Sequence, residues 1–258
     1  MKSFSTLFHS FLIAAVMVVA LSFTVPVQAG EPYSRNQVLA YIDQTYGQDM
    51  RVRRYRGDVV WSVAGNEDLS GDEIRAVFDA FDKLTPVSLR SGDGENVNLA
   101  IEYVNNVAFE AMTPRYRPKL QNGAADDAYI KTLSQVAEKR KNLVSIIEAS
   151  DTDQSILSGF VLAEKHWAKR GTYMPPRRYL MKIVFLMLTD TKGEHLPQGS
   201  VQARAPDLAE LTKLPAMDTA LIHAVYTYDN WNQLTPAQAR EQMARTMMSD
   251  LQKNGRGE

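Results

Sequence analysis

The sequence contains no cysteine, and this absence sets the first limits on what the protein can be. Disulfide bonds, cysteine-ligated metal sites, thiol catalysis and lipid attachment through an N-terminal cysteine are all excluded. An excess of one charge is also missing, because 29 basic residues stand against 30 acidic residues. Without a basic field, nucleic acid is not an expected partner. Because disulfide bonds are excluded, the fold must be held by burial of the apolar residues, which make up 45% of the chain.

A long apolar run is absent as well. The run near the N-terminus, Leu12–Phe23, is shorter than the roughly 20 residues needed to cross a bilayer. Lys2 precedes this run, and Val27-Gln28-Ala29 follows it with the small residues that a signal peptidase requires. We expect residues 1–29 to be a cleaved signal peptide and Gly30 to begin the mature chain; an uncleaved membrane anchor is the alternative. The predicted location is periplasmic or secreted, with no integral membrane span after cleavage.

Three capping boxes mark the starts of predicted helices. In each box a Ser or Thr hydroxyl can accept a hydrogen bond from the first turn, while a Gln or Glu three residues later reaches back. The boxes begin at Ser34, Ser70 and Thr235, and apolar residues at helical spacing follow each one. Tyr179–Leu188 is apolar nearly all round, which predicts a core helix. Further helices are predicted over 106–112, 128–140 and 217–226.

Strand patterns lie between these helices. Val59–Val63 and Val97–Tyr103 alternate apolar and polar residues, as half-buried strands do. Leu143–Ile147 and Ile156–Ala163 are short apolar runs consistent with buried strands, although a helix is open for either. We predict a single α+β domain over residues 30–252, with a small mixed β-sheet covered by helices and a helical C-terminal segment. Residues 253–258 are predicted to be a flexible tail.

Complete catalytic motifs are absent. The chain has neither His-Glu-x-x-His, which places two zinc ligands on one helix, nor the Gly-x-Ser-x-Gly nucleophile turn. The histidines of the mature chain are His166, His195 and His223. Zinc-dependent hydrolysis would need them to converge, with Glu164 or Glu194 to activate water. Scattered histidines are more often surface or hydrogen-bonded core residues, so no metal and no other cofactor is expected.

Two clusters are candidate binding residues. The first is an arginine run that could bind phosphate, anionic lipid or a glycan carboxylate. The second is an aromatic, amide-rich loop that could stack on sugars. The candidates are Arg51, Arg53, Arg54 and Arg56 in the run and Tyr228 and Trp231 in the loop. The alternatives are a solvated strand edge for the arginines and core packing for two of the rings among Tyr226, Tyr228 and Trp231.

The C-terminal third resembles part of an exported bacterial family of unknown function, whose domains are similar to zinc peptidases (zincin-like). The residues that carry the resemblance are Leu211–Tyr226, Asp229, Leu234-Thr235 and Ala237. Shorter matches in the N-terminal part are Arg53-Arg54-Tyr55, Gly65, Leu84-Thr85-Pro86 and Asn96-Val97-Asn98. The resemblance implies a zincin-like α+β fold over most of the mature chain.

One departure from that family bears on activity. Its members place a helix with acidic and glutamine residues before a Leu-Gly-Leu turn, where this chain has Lys182–Leu188. No acid or imidazole is left in that stretch to activate water, so peptidase activity is not carried over. We therefore expect a non-catalytic envelope protein that binds another protein or a cell-wall component. The alternatives are a metal-dependent hydrolase and a periplasmic solute-binding module, for which the chain is short.

Overall fold

A six-stranded, mostly parallel β-sheet with helices on both sides forms the framework of the computed structural model. The structure describes residues 33–47, 50–121, 143–150, 152–165, 168–169, 172–173, 175–191 and 214–255. All of these residues lie in one compact unit, Tyr33–Glu258. The predicted α+β class is confirmed, and the sheet is mixed because one of its strands is antiparallel.

The elements of the described residues are numbered in chain order. The helices are α1 (Arg35–Tyr46), α2 (Gly71–Asp82), α3 (Val107–Ala111), α4 (Arg117–Gln121), α5 (Pro176–Thr189), α6 (Ala216–Thr227) and α7 (Pro236–Gly255). The strands are β1 (Arg54–Tyr55), β2 (Val59–Ala64), β3 (Leu89–Ser91), β4 (Leu99–Val104), β5 (Leu143–Ala149), β6 (Ser155–Glu164), β7 (Ala168–Lys169) and β8 (Thr172–Tyr173). Short 3-10 turns lie at Gly94–Asn96 and Trp231–Gln233.

Strand β6 pairs with three other strands, β1, β4 and β5. Parallel pairing gives the order β1-β6-β4-β2-β3, and β5 pairs antiparallel with β6. The register aligns Trp61 with Leu99 and Leu99 with Gly159. β7 and β8 form a separate antiparallel pair. The two alternating patterns are thus confirmed as β2 and β4. Leu143–Ile147 and Ile156–Ala163, for which strand and helix were both considered, lie in strands β5 and β6.

Local signals explain where the helices begin. The Gln37 backbone N–H donates to the Ser34 hydroxyl, and the Gln37 side-chain oxygen accepts from the Ser34 backbone N–H at 2.7 Å. The boxes at Ser70 and Thr235 close in the same way. Helices predicted over 106–112 and 217–226 are confirmed as α3 and α6, while 128–140 lies outside the described residues. α7 continues to Gly255, three residues into the segment predicted as a tail.

Alternate residues of the strands point to opposite sides of the sheet, and each side has its own apolar cluster. The α5 side carries α1, α2, α5, α6 and α7 in one large core with residues such as Leu99, Ile101 and Val161. The α3 side carries a smaller cluster of Val104, Val107, Ala111, Tyr116, Leu120, Phe160 and Leu162. Within the described ranges, none of the helices has the length and apolarity required to cross a membrane.

Candidate functional site

Three of the four predicted arginines lie in or beside β1 and are paired with aspartates. The Arg53 Nε is 3.5 Å from Asp190, which follows α5. Arg54 is buried, donates to the Tyr226 carbonyl at 2.7 Å and forms an ion pair with Asp229. Its burial excludes the solvated-edge alternative for this residue. The remaining arginines differ from it, since Arg51 and Arg56 are exposed.

Arg56 completes what we call the arginine–aspartate corner, formed by Arg53, Arg54, Arg56, Asp153, Asp190 and Asp229. Arg56 donates to the Asp229 carbonyl at 3.1 Å, and its Nε is 3.6 Å from the Asp153 carboxylate. The corner therefore joins β1, the turn before β6 and the loop after α6. Because each guanidinium has a defined partner, these side chains are held in position before any ligand arrives.

The same corner fixes the predicted aromatic loop. Trp231 is buried and donates from its indole nitrogen to the Val225 carbonyl at 2.9 Å. Tyr228 is half-buried and meets the Trp231 ring edge-on at 5.1 Å. Trp231 and Tyr226 belong to the core, so the packing alternative describes two of the three rings. Ligand binding by Tyr228 and by the arginines stays a prediction.

The pKa of Asp153, one carboxylate of the corner, is lowered by its hydrogen bonds. Hydrogen bonds from the Ser155 hydroxyl and amide lower the pKa of Asp153 from 3.8 to about 2, and Ser150 and Arg56 act in the same direction. The side chain is exposed enough to be reached by solvent. Asp153 therefore stays anionic down to acidic pH, beside the Arg56 guanidinium.

Helix α5 contains Lys182–Leu188, a stretch without an acid or an imidazole. Every residue from Arg178 to Thr189 is buried. β6 approaches this helix closely, because a Cβ built on Gly159 would lie 2.5 Å from the Met187 methyl and 2.8 Å from the Tyr55 hydroxyl. The helix is thus pressed against β6.

Two tyrosines from other helices cap the C-terminal end of α5. The Tyr226 hydroxyl donates to the Leu188 carbonyl at 3.1 Å, and the Tyr46 hydroxyl donates to the Thr189 carbonyl at 2.9 Å. Helix ends leave carbonyls without partners, so these donors satisfy groups that would otherwise be buried unpaired. Both hydroxyls stay protonated, since burial raises their pKa values well above the ordinary 10.0. The arrangement anchors α5 to α1 and α6.

Of the three histidines in the zinc hypothesis, His223 lies among the described residues. The His223 Nδ1 lies 3.3 Å from Asp250, which links α6 to α7. Among the described residues, no three His, Asp or Glu side chains are grouped as metal ligands. His166, His195 and Glu194 lie outside the described residues. Glu164 is described, and it ends β6.

A second polar cluster lies at the carboxyl ends of the parallel strands, a location where open α/β sheets commonly bind ligands. Tyr103 on β4 packs edge-on against Tyr179 of α5, with ring centroids 6.0 Å apart. Glu164 is half-buried beside them, and burial raises the pKa of its carboxyl. Lys165 forms an ion pair with Glu67 at 3.2 Å. Sequence reasoning missed the two tyrosines, because the strand order that brings them together is not visible in the chain.

A tight approach at this edge requires glycine. Gly65 follows β2 with φ +76°, in the left-handed region, and a Cβ there would lie 2.4 Å from the Tyr103 carbonyl oxygen. Any side chain at this position would push β2 and β4 apart. The carboxyl edge is therefore closely packed between its strands.

The fold and these two clusters define an α+β protein with a mostly parallel sheet, a buried central helix and paired surface charges. Comparison with models of known protein families and with curated proteins finds no match.

Proposed function

We propose that the chain is a non-catalytic protein of the bacterial envelope, periplasmic or secreted, that binds an envelope protein or a cell-wall component. We further propose that it is a diverged relative of the exported zincin-like proteins. The observation that supports the first proposal is the packing of α5. A catalytic helix must present ionisable side chains to a substrate, whereas Ile183 and Phe185 at the centre of α5 are at most 1% exposed.

The ends of α5 support the same conclusion. Its C-terminal carbonyls are occupied by Tyr46 and Tyr226, and Gly159 lets the Met187 side chain reach the sheet. These contacts stabilise α5 as a core helix on its side of the sheet. Reshaping it into a reaction centre would require opening the core, which costs several kcal/mol.

The arginine–aspartate corner supplies a surface suited to binding. Arg56 and Tyr228 are partly exposed there, and both are positioned by neighbouring residues. Positioned arginines recognise carboxylates with defined geometry, and a partly exposed tyrosine ring can stack on a sugar or a peptide. A cell-wall component presents both kinds of group.

Two measurements test this proposal with the predicted mature chain, residues 30–258. The chain should co-sediment with purified cell-wall sacculi or cross-link to a defined envelope protein, and Tyr228→Ala should weaken that binding. It should release no product from peptide or glycan substrates. Turnover that is abolished by one substitution, such as Glu164→Gln, would refute the proposal.

One observation favours the hydrolase alternative. Glu164 is half-buried with a raised pKa at the carboxyl edge, and carboxyls of this kind serve as general acids or bases. Elemental analysis after mild dialysis separates the two functions. Stoichiometric zinc that disappears in both His195→Ala and His223→Ala would support the hydrolase, whereas a metal-free chain that hydrolyses no substrate would end that alternative.

A further inference from the structure

Large apolar side chains are exposed at three positions among the described residues. Phe109 is 67% exposed, Met112 is 51% exposed and Leu157 is 51% exposed. The first two lie one helical turn apart, at the end of α3, whereas Leu157 lies alone on β6. Single exposed apolar residues are ordinary, whereas Phe109 and Met112 are neighbours on α3 and its C-cap.

The packing of α3 determines that this pair faces outward. Val107 and Ala111 are at most 1% exposed and belong to the cluster that contains Phe160 and Leu162. At 100° per residue, Phe109 and Met112 lie about 200° and about 140° around the helix from Val107. No rotation of α3 can bury both pairs, so burying Val107 and Ala111 leaves Phe109 and Met112 in solvent.

Cations follow the exposed pair directly along the chain. The Arg115 side chain is 71% exposed, lies 4.9 Å above the Tyr116 ring and bonds Glu102 at 2.9 Å. Lys119 is exposed, and its ammonium lies 5.1 Å from the Phe160 ring centroid. We call Phe109, Met112, Arg115 and Lys119 the α3 patch. The stretch from Phe109 to Lys119 also holds Arg117, and its acidic residue is Glu110.

We propose that the α3 patch binds peripherally to an anionic lipid membrane. Phe109 and Met112 enter the boundary between headgroups and acyl chains, while Arg115 and Lys119 contact lipid phosphates. Peripheral membrane binding strengthens with the apolar area that is buried and with electrostatic attraction to anionic lipids, and both kinds of side chain occur here within eleven residues. A stable protein interface would need about 800 Å² per partner with an apolar core, and two side chains are too few for that.

Vesicle sedimentation tests the proposal with residues 30–258, which contain the whole compact unit. The chain should bind vesicles made of equal parts of phosphatidylcholine and phosphatidylglycerol more tightly than vesicles of phosphatidylcholine alone, and added salt should weaken the binding. The double variant Phe109→Ser, Met112→Ser should bind at least about tenfold more weakly, because it loses the apolar anchor. Lys119→Glu should lose the preference for anionic vesicles.

Matched control variants distinguish binding through the α3 patch from non-specific binding to vesicles. Leu157→Ser removes the third exposed apolar side chain, and Arg90→Glu reverses a cation that is 65% exposed elsewhere. Both variants should bind as the parent does, and circular dichroism should show all variants folded. Absence of binding to anionic vesicles, or equal losses in Leu157→Ser and the double variant, would overturn the proposal. Concentration-dependent self-association that needs Phe109, without vesicle binding, would also overturn it and assign the patch to a contact between copies.

Discussion

The two sides of the sheet are built from the same strands but are covered to different depths. On the α5 side, five helices close over the strands, and the central helix is buried on every face. On the α3 side, the described cover is two short helices, and Phe109 and Met112 remain in solvent. The difference separates roles within one sheet. The α5 side stabilises the fold, whereas the α3 side is available for contacts.

The largest effect is expected from Phe185→Ala on the α5 side. Phe185 is 0% exposed at the centre of α5, so the variant should lose about 3–5 kcal/mol of unfolding free energy through lost burial and a cavity. Phe160→Ala on the α3 side should lose less, because its cluster is smaller. Phe109→Ala should change stability by less than about 0.5 kcal/mol. Urea titration measures the free energy of unfolding of all three variants. Equal losses would contradict the expected difference between the two sides of the sheet.

A smaller effect is expected from Gly159→Ala, which tests how closely β6 approaches α5. The new Cβ meets the Tyr55 hydroxyl and the Met187 methyl, so the free energy of unfolding should fall by about 1–3 kcal/mol. Gly57→Ala is the control, because a Cβ there has no atom within 4 Å. A neutral Gly159→Ala variant would show that the Met187 side chain moves aside and that the contact is looser than described.

The tyrosine caps should contribute less again. Tyr46→Phe and Tyr226→Phe each remove one buried donor to the end of α5, which should cost about 1 kcal/mol. On the α3 side, the Tyr116 hydroxyl donates to Glu102 at 2.8 Å, but Arg115 donates to the same oxygen. Tyr116→Phe should therefore cost less than either cap. A larger loss for Tyr116→Phe in the same denaturation assay would reverse the expected order.

The smallest effect concerns the stability of the protein in acid, through Asp153 in the arginine–aspartate corner. The folded-state pKa of Asp153 is about 2, below its ordinary 3.8. The resulting stabilisation is complete above the unfolded-state pKa and is lost as the pH falls through the folded-state pKa. Asp153→Asn should flatten the fall in stability between those two values, and Ser155→Ala should act in the same direction. Identical acid profiles for the parent and both variants would contradict the hydrogen-bonded state of Asp153.

Some of the site could be anticipated and some could not. The arginine run and the aromatic loop were both candidates from the sequence, and the structure brings them together through Asp229. Their union depends on a contact between positions 54 and 226, which are 172 residues apart. No local pattern reports such a distance. The tyrosine pair at the carboxyl edge was missed for the same reason, because it requires the strand order.

The sequence by itself determined the elements that depend on close neighbours. Capping boxes act within one turn and apolar periodicity within a few turns, so the starts of α1, α2 and α7 and the core character of α5 were readable. Only the tertiary structure decided which groups face one another. Tyr41 donates to the buried Asp218 of α6 across 177 positions, and burial there is a property of the packed chain. The same packing assigned Arg54 to the interior and Phe109 to the surface, because side-chain chemistry alone does not decide which face of an element is covered.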